Sequence, residues 1–460
     1  MSSPPPTVAV IGAGPVGLAA AAHLLERGLR PVVLEAGEEI GHAVLQWSHV
    51  RMFSPWSFNV DKAAAHLLAE QGWNAPDPNH YPTGGELVER YLEPLGRRTR
   101  LNEHIRTKAR VISVARAGCD KVKSLGRDQT PFAISYQNGR GPETVLEILL
   151  ADAVIDASGT WQTPNPAGSN GTEAIGEAAH RERIAYGMPD VLGRDRVRYV
   201  GKTVGVLGAG HSAIGTLLDL AKLREIAPAT QIIWILRGAK AEKSFGGGSN
   251  DKLVARGELG RLFAQLVHSG GVRVETSFGL THISGRRRSL RLGAGAGCCA
   301  RKIEVDELIV ATGFRPDLSF LRELRLALDP ALECPAPLAP LIDPNLHSCG
   351  TVRPHGAREL AQPEPGFFIA GMKSYARAPT FLMLTGYEQA RSIVADLAGD
   401  KDAAERVELE LPATGVCSRP LSARLDHDAC CGGPAPIDAD PCCTGNARAK
   451  AAGALVRGCP

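Results

Sequence analysis

Gly12, Gly14 and Gly17 lie between an apolar run, "TVAVI", and a helical run, "PVGLAAAAHLLERG", that ends at Gly28. A G-x-G-x-x-G spacing in that setting does its chemistry with the backbone. Gly12 permits a tight turn, Gly14 lets the main chain approach a pyrophosphate, and Gly17 allows close helix packing. Pro15 opens the helix, whose free N–H groups and positive dipole end favour a phosphate. Glu35, followed by Ala36, closes the next apolar run, "RPVVLE". It falls about 20 residues on, where an acid accepts hydrogen bonds from ribose hydroxyls. The device then recurs. "TVGVL" leads into Gly208, Gly210, His211, Ser212 and Ala213, with alanine as an accepted third-position variant. "QIIWILRG" places Arg237 where the first unit has Glu35, with Lys240 and Lys243 beyond it. A guanidinium there can form paired hydrogen bonds to a 2′-phosphate, which predicts NADPH rather than NADH. The alternative for Arg237 is a solvated strand end. Two cradles predict two dinucleotides: a flavin dinucleotide in the first and its reductant in the second.

Cysteine supplies the other reactive groups. Cys430, Cys431, Cys442, Cys443 and Cys459 fall in the last stretch, with Cys417 just before. Thiolates are soft ligands, and several on a pliable chain can wrap a thiophilic ion such as trivalent arsenic. A zinc knuckle fits less well, because the spacing is not C-x-x-C. The alternative is a tail whose cysteines do nothing. Cys298 and Cys299 form an adjacent pair in "GAGAGCCARK", which reads as a hairpin loop. No catalytic triad is evident. Candidates for the reacting centre are Trp47, Arg51, Ser54 and Trp56 on one stretch and Lys373, Tyr375 and Arg377 on another, with Arg51, Ser54, Lys373 and Arg377 as the catalytic candidates and Trp47 as a cofactor contact. Ordinary loop packing is the alternative for each of them.

The elements that must position these groups follow from periodicity. A chain of 460 residues exceeds one compact core. With 44% hydrophobic and 22% charged residues it has an ordinary globular composition. A net charge of +3 argues against nucleic acid as a partner. No apolar run of about 18 residues predicts a membrane span, and "MSSPPPTVAV" lacks the pattern of a secretion signal. Both features predict a cytoplasmic protein. The fold class is α/β, with two Rossmann-like three-layer dinucleotide-binding domains and a flexible Cys-rich tail. The expected boundaries are 1–165 for the first part of the FAD domain, 166–315 for the NADPH domain, 316–404 for the second FAD part and 405–460 for the tail. Residues 41 to 81 read as an aromatic-rich connection. "ARVISVAR", "PFAISYQN" and "ETVLEILLADAVIDASG" read as strands. "GYEQARSIVADLAG" reads as an amphipathic helix.

Two cradles, followed by "ASGTWQTPNP" and "VATGFRPD", resemble the two-dinucleotide-binding-domain flavoproteins, over most of residues 7 to 400. In that superfamily such segments link an FAD and an NADPH domain, here at Ala157–Thr160 and Ala311–Gly313. The resemblance brings Gly159, Gly371 and Gly386 to the FAD site, with the helix from "MLTGYEQA" facing the flavin pyrimidine. "GAGHSAIG" is similar to the flavin-containing monooxygenase branch. "AIGEAAHRERI" keeps Gly176 and His180 of that branch's F-x-G-x-x-x-H motif but has Ala174 and Ile184 at the aromatic positions. "FFIAGMKSY" has Met372 where the superfamily often has an acid after glycine. The tail and "GMKSYARAPTFLMLTGYEQARS" resemble flavoproteins of bacterial arsenic-resistance clusters. The implied function is an FAD- and NADPH-dependent oxidoreductase, monooxygenase-like, acting on a small molecule with a soft nucleophilic atom, in arsenic or heavy-metal detoxification. A flavoprotein disulfide or metalloid reductase and a non-catalytic, flavin-bearing metalloid-binding protein remain as alternatives.

Overall fold

A computed structural model describes residues 4–139, 141, 144–246, 254–286, 288–295, 300–346, 352–379 and 381–409. The chain divides into two compact units. One comprises the start of the chain to Gln46, Ser54–Thr160 and the chain from Pro316 onward; the other comprises Trp47–Phe53 and Trp161–Arg315. The second unit thus interrupts the sequence of the first twice, chiefly as the long stretch Trp161–Arg315.

The first unit is built on a parallel sheet. Its strands are β1 (Thr7–Ile11), β2 (Arg30–Leu34), β3 (Ile105–Arg106), β7 (Ala153–Asp156) and β16 (Phe367–Ile369), in the order β16-β7-β1-β2-β3. An antiparallel sheet of β4 (Ala109–Arg116), β5 (Phe132–Asn138) and β6 (Val145–Ala151) covers one face. Ala9, Ile11, Val32 and Leu34 meet Val114, Ile134 and Tyr136 there in a common core. The Pro15–Glu26 helix packs with the Met383–Leu397 helix, and Ala19–Ala22 of the former are wholly buried. Small side chains let the helix sit close to its neighbours.

The second unit repeats the plan with β8 (Ile184–Tyr186), β9 (Thr203–Leu207), β10 (Gln231–Ile235), β11 (Arg273–Glu275) and β15 (Glu307–Val310), ordered β11-β10-β9-β15-β8. An antiparallel sheet is formed by β12 (Leu280–Gly285), β13 (Leu290–Ala294) and β14 (Arg301–Val305). Strand residues alternate between two cores, as a period of 2 requires. Val206, Ile232, Trp234 and Ile309 face the His211–Ile226 and Val254–His268 helices. Leu207, Ile233, Ile235, Leu308 and Val310 face the antiparallel sheet. Both units therefore have three layers.

Three elements depart from the sequence reading. "ETVLEILLADAVIDASG" forms two strands, β6 and β7, which join different sheets, because the turn at Asp152 lets the backbone N–H of that residue bond Thr7. The stretch from 41 to 81 contains a helix, Lys62–Ala69, capped by Asp61, which accepts from the Ala64 N–H at 3.0 Å. The Met383–Leu397 helix is not amphipathic in use: every residue from Thr385 to Ala395 is buried. Its Glu388 and Arg391 neutralise each other at 2.7 Å, and Arg391 donates to the carbonyl of Ala403 at 2.7 Å.

Candidate functional site

Each cradle begins where a central strand ends. In the first, Ile11 is in register with Leu34 on one side and Asp156 on the other. In the second, Leu207 is in register with Ile235 and Val310. Gly12 and Gly208 then turn with φ of +100° and +142°. A Cβ on Gly12 would lie 2.9 Å from the carbonyl oxygen of Ala157, and one on Gly208 would lie 2.3 Å from that of Ala311. The two flanking segments, "ASG" and "ATG", are therefore the floors of the cradles. A carbonyl crossing under the first glycine requires that glycine to be bare. Gly17 has the same requirement for another reason, since its Cβ would lie 2.0 Å from the Gly12 carbonyl oxygen. In the second cradle Ala213 occupies this place and is fully buried.

Gly14 and Gly210 are different. Each is the N-cap of its helix, and a Cβ on either would meet nothing within 4 Å. Open space over a helix N-terminus is what a pyrophosphate needs. The residues present thus fit a dinucleotide in both cradles. Pro15 occupies the first position of its helix. Glu35 accepts from the N–H groups of Ala13 at 2.8 Å and Gly37 at 2.7 Å, which holds its carboxylate at the rim of the first turn. Ala36 beside it is half-buried. Gly159 has φ of +71° with open space around it.

Arg237 is exposed beyond the end of β10 and donates to the carbonyl of Ser169 at 2.8 Å. His211 lies against Phe53, with ring centroids 5.3 Å apart, and Ser212 is half-buried beside it. The Gly208 carbonyl accepts from the Trp234 indole at 2.8 Å. The side chain of Lys243 lies outside the described residues.

Gly371 and Gly386 meet the first helix rather than open space. A Cβ on Gly371 would approach Val16 at 3.3 Å, and one on Gly386 would clash with Val16 at 2.5 Å and Phe381 at 2.7 Å. Their small size serves close packing. Trp47 and Arg51 group with the second unit, the Trp47 ring lying 6.4 Å from that of Trp161. Ser54 is buried and donates to Asn59 at 2.8 Å. Arg377 is exposed and paired with Glu333 at 2.6 Å. Lys373 is fully buried, its ammonium 2.6 Å from Asp156. Gly176 and His180 are also packing residues. A Cβ on Gly176 would lie 2.1 Å from the Ile283 carbonyl oxygen, and the His180 ring covers Gly285. Ala174 and Ile184 belong to a core cluster of the second unit.

Some working residues escaped the sequence reading. Glu177 is buried and accepts from Ala167 at 2.9 Å, Ala174 at 2.7 Å and the Tyr186 hydroxyl at 2.6 Å. Asn165 joins the two connecting segments. Its N–H bonds the Gly313 carbonyl at 2.9 Å, its side chain bonds Thr312 at 2.9 Å, and Arg315 donates to it at 2.8 Å. The rings of Trp161 and Phe314 stack alongside at 4.7 Å. An Asp at the end of an apolar strand, as in "AVIDASG", was the one visible cue to the Asp156 pair.

Among the described residues the cysteines are Cys119 and Cys334, both free thiols. Burial first, with the charges of Asp329 and Asp343, pushes the Cys334 thiol up to about 12. Such a thiol is a poor nucleophile. Cys298, Cys299, Cys417, Cys430, Cys431, Cys442, Cys443 and Cys459 lie outside the described residues. No cluster of three or more metal-binding side chains and no helix long and apolar enough to cross a membrane occur among the described residues.

The family model described as pyridine nucleotide-disulphide oxidoreductase matches residues 9–335. Monooxygenase cfoE of Aspergillus candidus is 31% identical over 238 residues, which cover 49% of this chain and 35% of that protein. The match thus spans about a third of that relative's length. Among solved structures, the bacillithiol disulfide reductase Bdr of Bacillus cereus superposes with a TM-score of 0.61 at 20% identity, covering 86% of this chain and 99% of that one. DfoA bound to FAD, a cadaverine monooxygenase of Erwinia amylovora, superposes with a TM-score of 0.60 at 15% identity, covering 88% and 98%. The two structures share this chain's fold.

Proposed function

The chain belongs to the pyridine nucleotide-disulphide oxidoreductase family, and from that premise we propose that it is an FAD- and NADPH-dependent oxidoreductase of the monooxygenase kind. The observation that carries the reading is the repeated cradle, with a carboxylate at the rim of one and a guanidinium beside the other. The helix N-termini at Gly14 and Gly210 would hold the two pyrophosphates. Glu35 would accept from a ribose hydroxyl of FAD. Arg237 would exchange the Ser169 carbonyl for the 2′-phosphate of NADPH, a charge-assisted pairing stronger than the one it replaces. Bound FAD supplies hydride acceptance and reaction with dioxygen. A monooxygenase is favoured over a dithiol reductase because no cysteine precedes Cys119 in the sequence and the second cradle, "GAGHSA", contains none beside which a flavin-linked dithiol could work. A small molecule with a sulfur, nitrogen or trivalent arsenic nucleophile fits that chemistry.

The purified protein is expected to be yellow, with an oxidised-flavin spectrum, and to oxidise NADPH at a rate that a substrate of this class raises. Protein that is colourless and takes up no added FAD overturns the reading. In Arg237→Ala, kcat/KM for NADPH is expected to fall about 10- to 100-fold while that for NADH stays put, the loss of a hydrogen bond to a charged group. A second reading draws on the five cysteines from Cys430 to Cys459: the tail captures a thiophilic metalloid ion. Truncation after Glu405 separates the two. Substrate-stimulated NADPH oxidation that survives truncation supports the enzyme; ion binding that is lost on truncation, in a protein that shows no turnover, supports the second reading.

A further inference from the structure

Lys373 is an ammonium with no access to solvent, and its partners belong to segments far apart in sequence. Its Nζ lies 2.6 Å from Asp156 Oδ2 and donates to Ser158 Oγ at 3.1 Å. Both Lys373 and Asp156 side chains are 0% exposed. The face of the Phe320 ring lies 4.2 Å from the same nitrogen. The Lys373 charge also reaches Asp317, whose carboxyl is held below its usual range by hydrogen bonds from Ser319 and by the Lys373 and Arg110 charges, against the opposing effect of burial. Asp156 is in turn braced, accepting at its other oxygen from Ser158 N at 3.1 Å and Ser158 Oγ at 2.6 Å. Its carbonyl accepts from Ala370 N at 2.9 Å.

Three segments of the first unit therefore converge on one charge. The first runs from Asp156 to Ser158 and carries the Ala157 carbonyl that forms the floor under Gly12. The second follows β16 and holds Ala376 at φ of +50°, a left-handed value that alanine adopts only under constraint. The third begins where the chain re-enters the first unit at Pro316. A surface lysine could not do this. Desolvation makes the ammonium dependent on its partners, so the three segments are held together as long as the charge is satisfied.

We propose that Lys373 is a positioning residue for the FAD cradle, a buried clasp that fixes the Asp156–Ser158 floor under Gly12 and thereby sets flavin affinity without touching the flavin. The wholly buried side chain separates this role from that of a ligand contact. The proposal rests on the assignment of FAD to the first cradle.

The test measures FAD affinity by titrating apoprotein and following flavin fluorescence, together with the visible circular dichroism of bound flavin. Lys373→Met and Asp156→Asn are each expected to weaken FAD binding at least tenfold and to alter the dichroic bands. Each single change leaves its buried partner without a counter-charge and puts folding itself at risk, so the double variant Lys373→Met/Asp156→Asn decides. It removes the net charges together and is expected to regain thermal stability while FAD stays at least tenfold weaker than in the parent. A double variant that binds FAD within twofold of the parent, with unchanged dichroism, overturns the clasp. A parent protein that binds no FAD removes the functional reading instead.

Discussion

The five G-x-G-x-x-G glycines of the two cradles are not equivalent, and the difference is measurable one residue at a time. Gly17 is glycine because a methyl group would lie 2.0 Å from the Gly12 carbonyl oxygen, whereas Gly14 has open space where its methyl group would be. Gly17→Ala is expected to destabilise the fold by about 1–3 kcal/mol, as overpacking does. Gly14→Val is expected to leave thermal unfolding nearly unchanged and to weaken FAD at least tenfold by filling the space for a pyrophosphate. Paired melting curves and flavin titrations check both; a Gly14→Val protein that keeps its flavin contradicts the cradle assignment. The motif was legible in the sequence because glycine spacing encodes a turn. The reason for "ASG" and "ATG" was not legible. It lies in the carbonyls of Ala157 and Ala311, which no side chain reports. Lys373 was equally hidden, since a lysine after a strand looks like surface until its carboxylate partner, 217 residues away, is brought to it.

At the level of elements, two buried histidines link helix packing to pH in opposite senses. His23, in the last turn of the Pro15–Glu26 helix, lies 3.1 Å from Asp61, the cap of the Lys62–Ala69 helix. Burial works against its charge, but the Asp61 carboxylate, through both charge and hydrogen bond, with Glu26 in addition, raises its pKa above the ordinary value; Arg391 opposes them weakly. A raised folded pKa gives stability that is fully present below about pH 6.5 and is lost as pH rises through the folded value. The stability advantage of the parent over His23→Gln is therefore expected to narrow as pH rises above about 6.5 in thermal denaturation. A gap independent of pH contradicts a charged pair. His355 behaves oppositely. Burial lowers its pKa, so its contribution falls as pH drops below about 6.5. Its Nε2 lies 2.8 Å from the Gln389 side-chain nitrogen, and Gln389 also accepts from Gly371 N–H at 2.8 Å. The Pro15–Glu26 and Met383–Leu397 helices were visible as periodic runs, the Lys62–Ala69 helix inside the aromatic-rich connection was not, and the extent of their burial was not legible either. Hydrophobic pattern assigns Glu388 and Arg391 to a wet face, and it takes their mutual pairing together with the backbone partners at Ala403 and Glu408 to make a dry one tolerable.

Over the whole molecule, the main segment of the second unit enters the sequence of the first after Thr160 and leaves it at Pro316. Its ends are paired to each other through Asn165, Thr312 and Gly313, and Arg315 N–H adds a bond to Thr163 at 3.0 Å. A fragment of residues 161–315 is expected to melt in one cooperative transition and to be stabilised by NADP but not by FAD, as a ligand that binds only the native state must do. Its stability is expected to be below that of the same unit in the parent, because Trp47 no longer covers Trp161. A fragment with no cooperative transition contradicts a self-sufficient unit. The division into two nucleotide folds was legible from the repeat of strand, glycine turn and helix; the grouping of Trp47–Phe53 with the inserted unit was not, since it depends on contacts more than a hundred residues distant.

Stitched ends have a consequence for how such a protein can change. A segment whose first and last strands already lie side by side can be cut out as a cassette, or exchanged for another of the same outline, without redrawing the chain on either side. Replacing the inserted unit would then be a matter of swapping the stretch 161–315 together with the short segment Trp47–Phe53 that groups with it, leaving the rest of the first unit, which comes from both flanks, in its original reading frame.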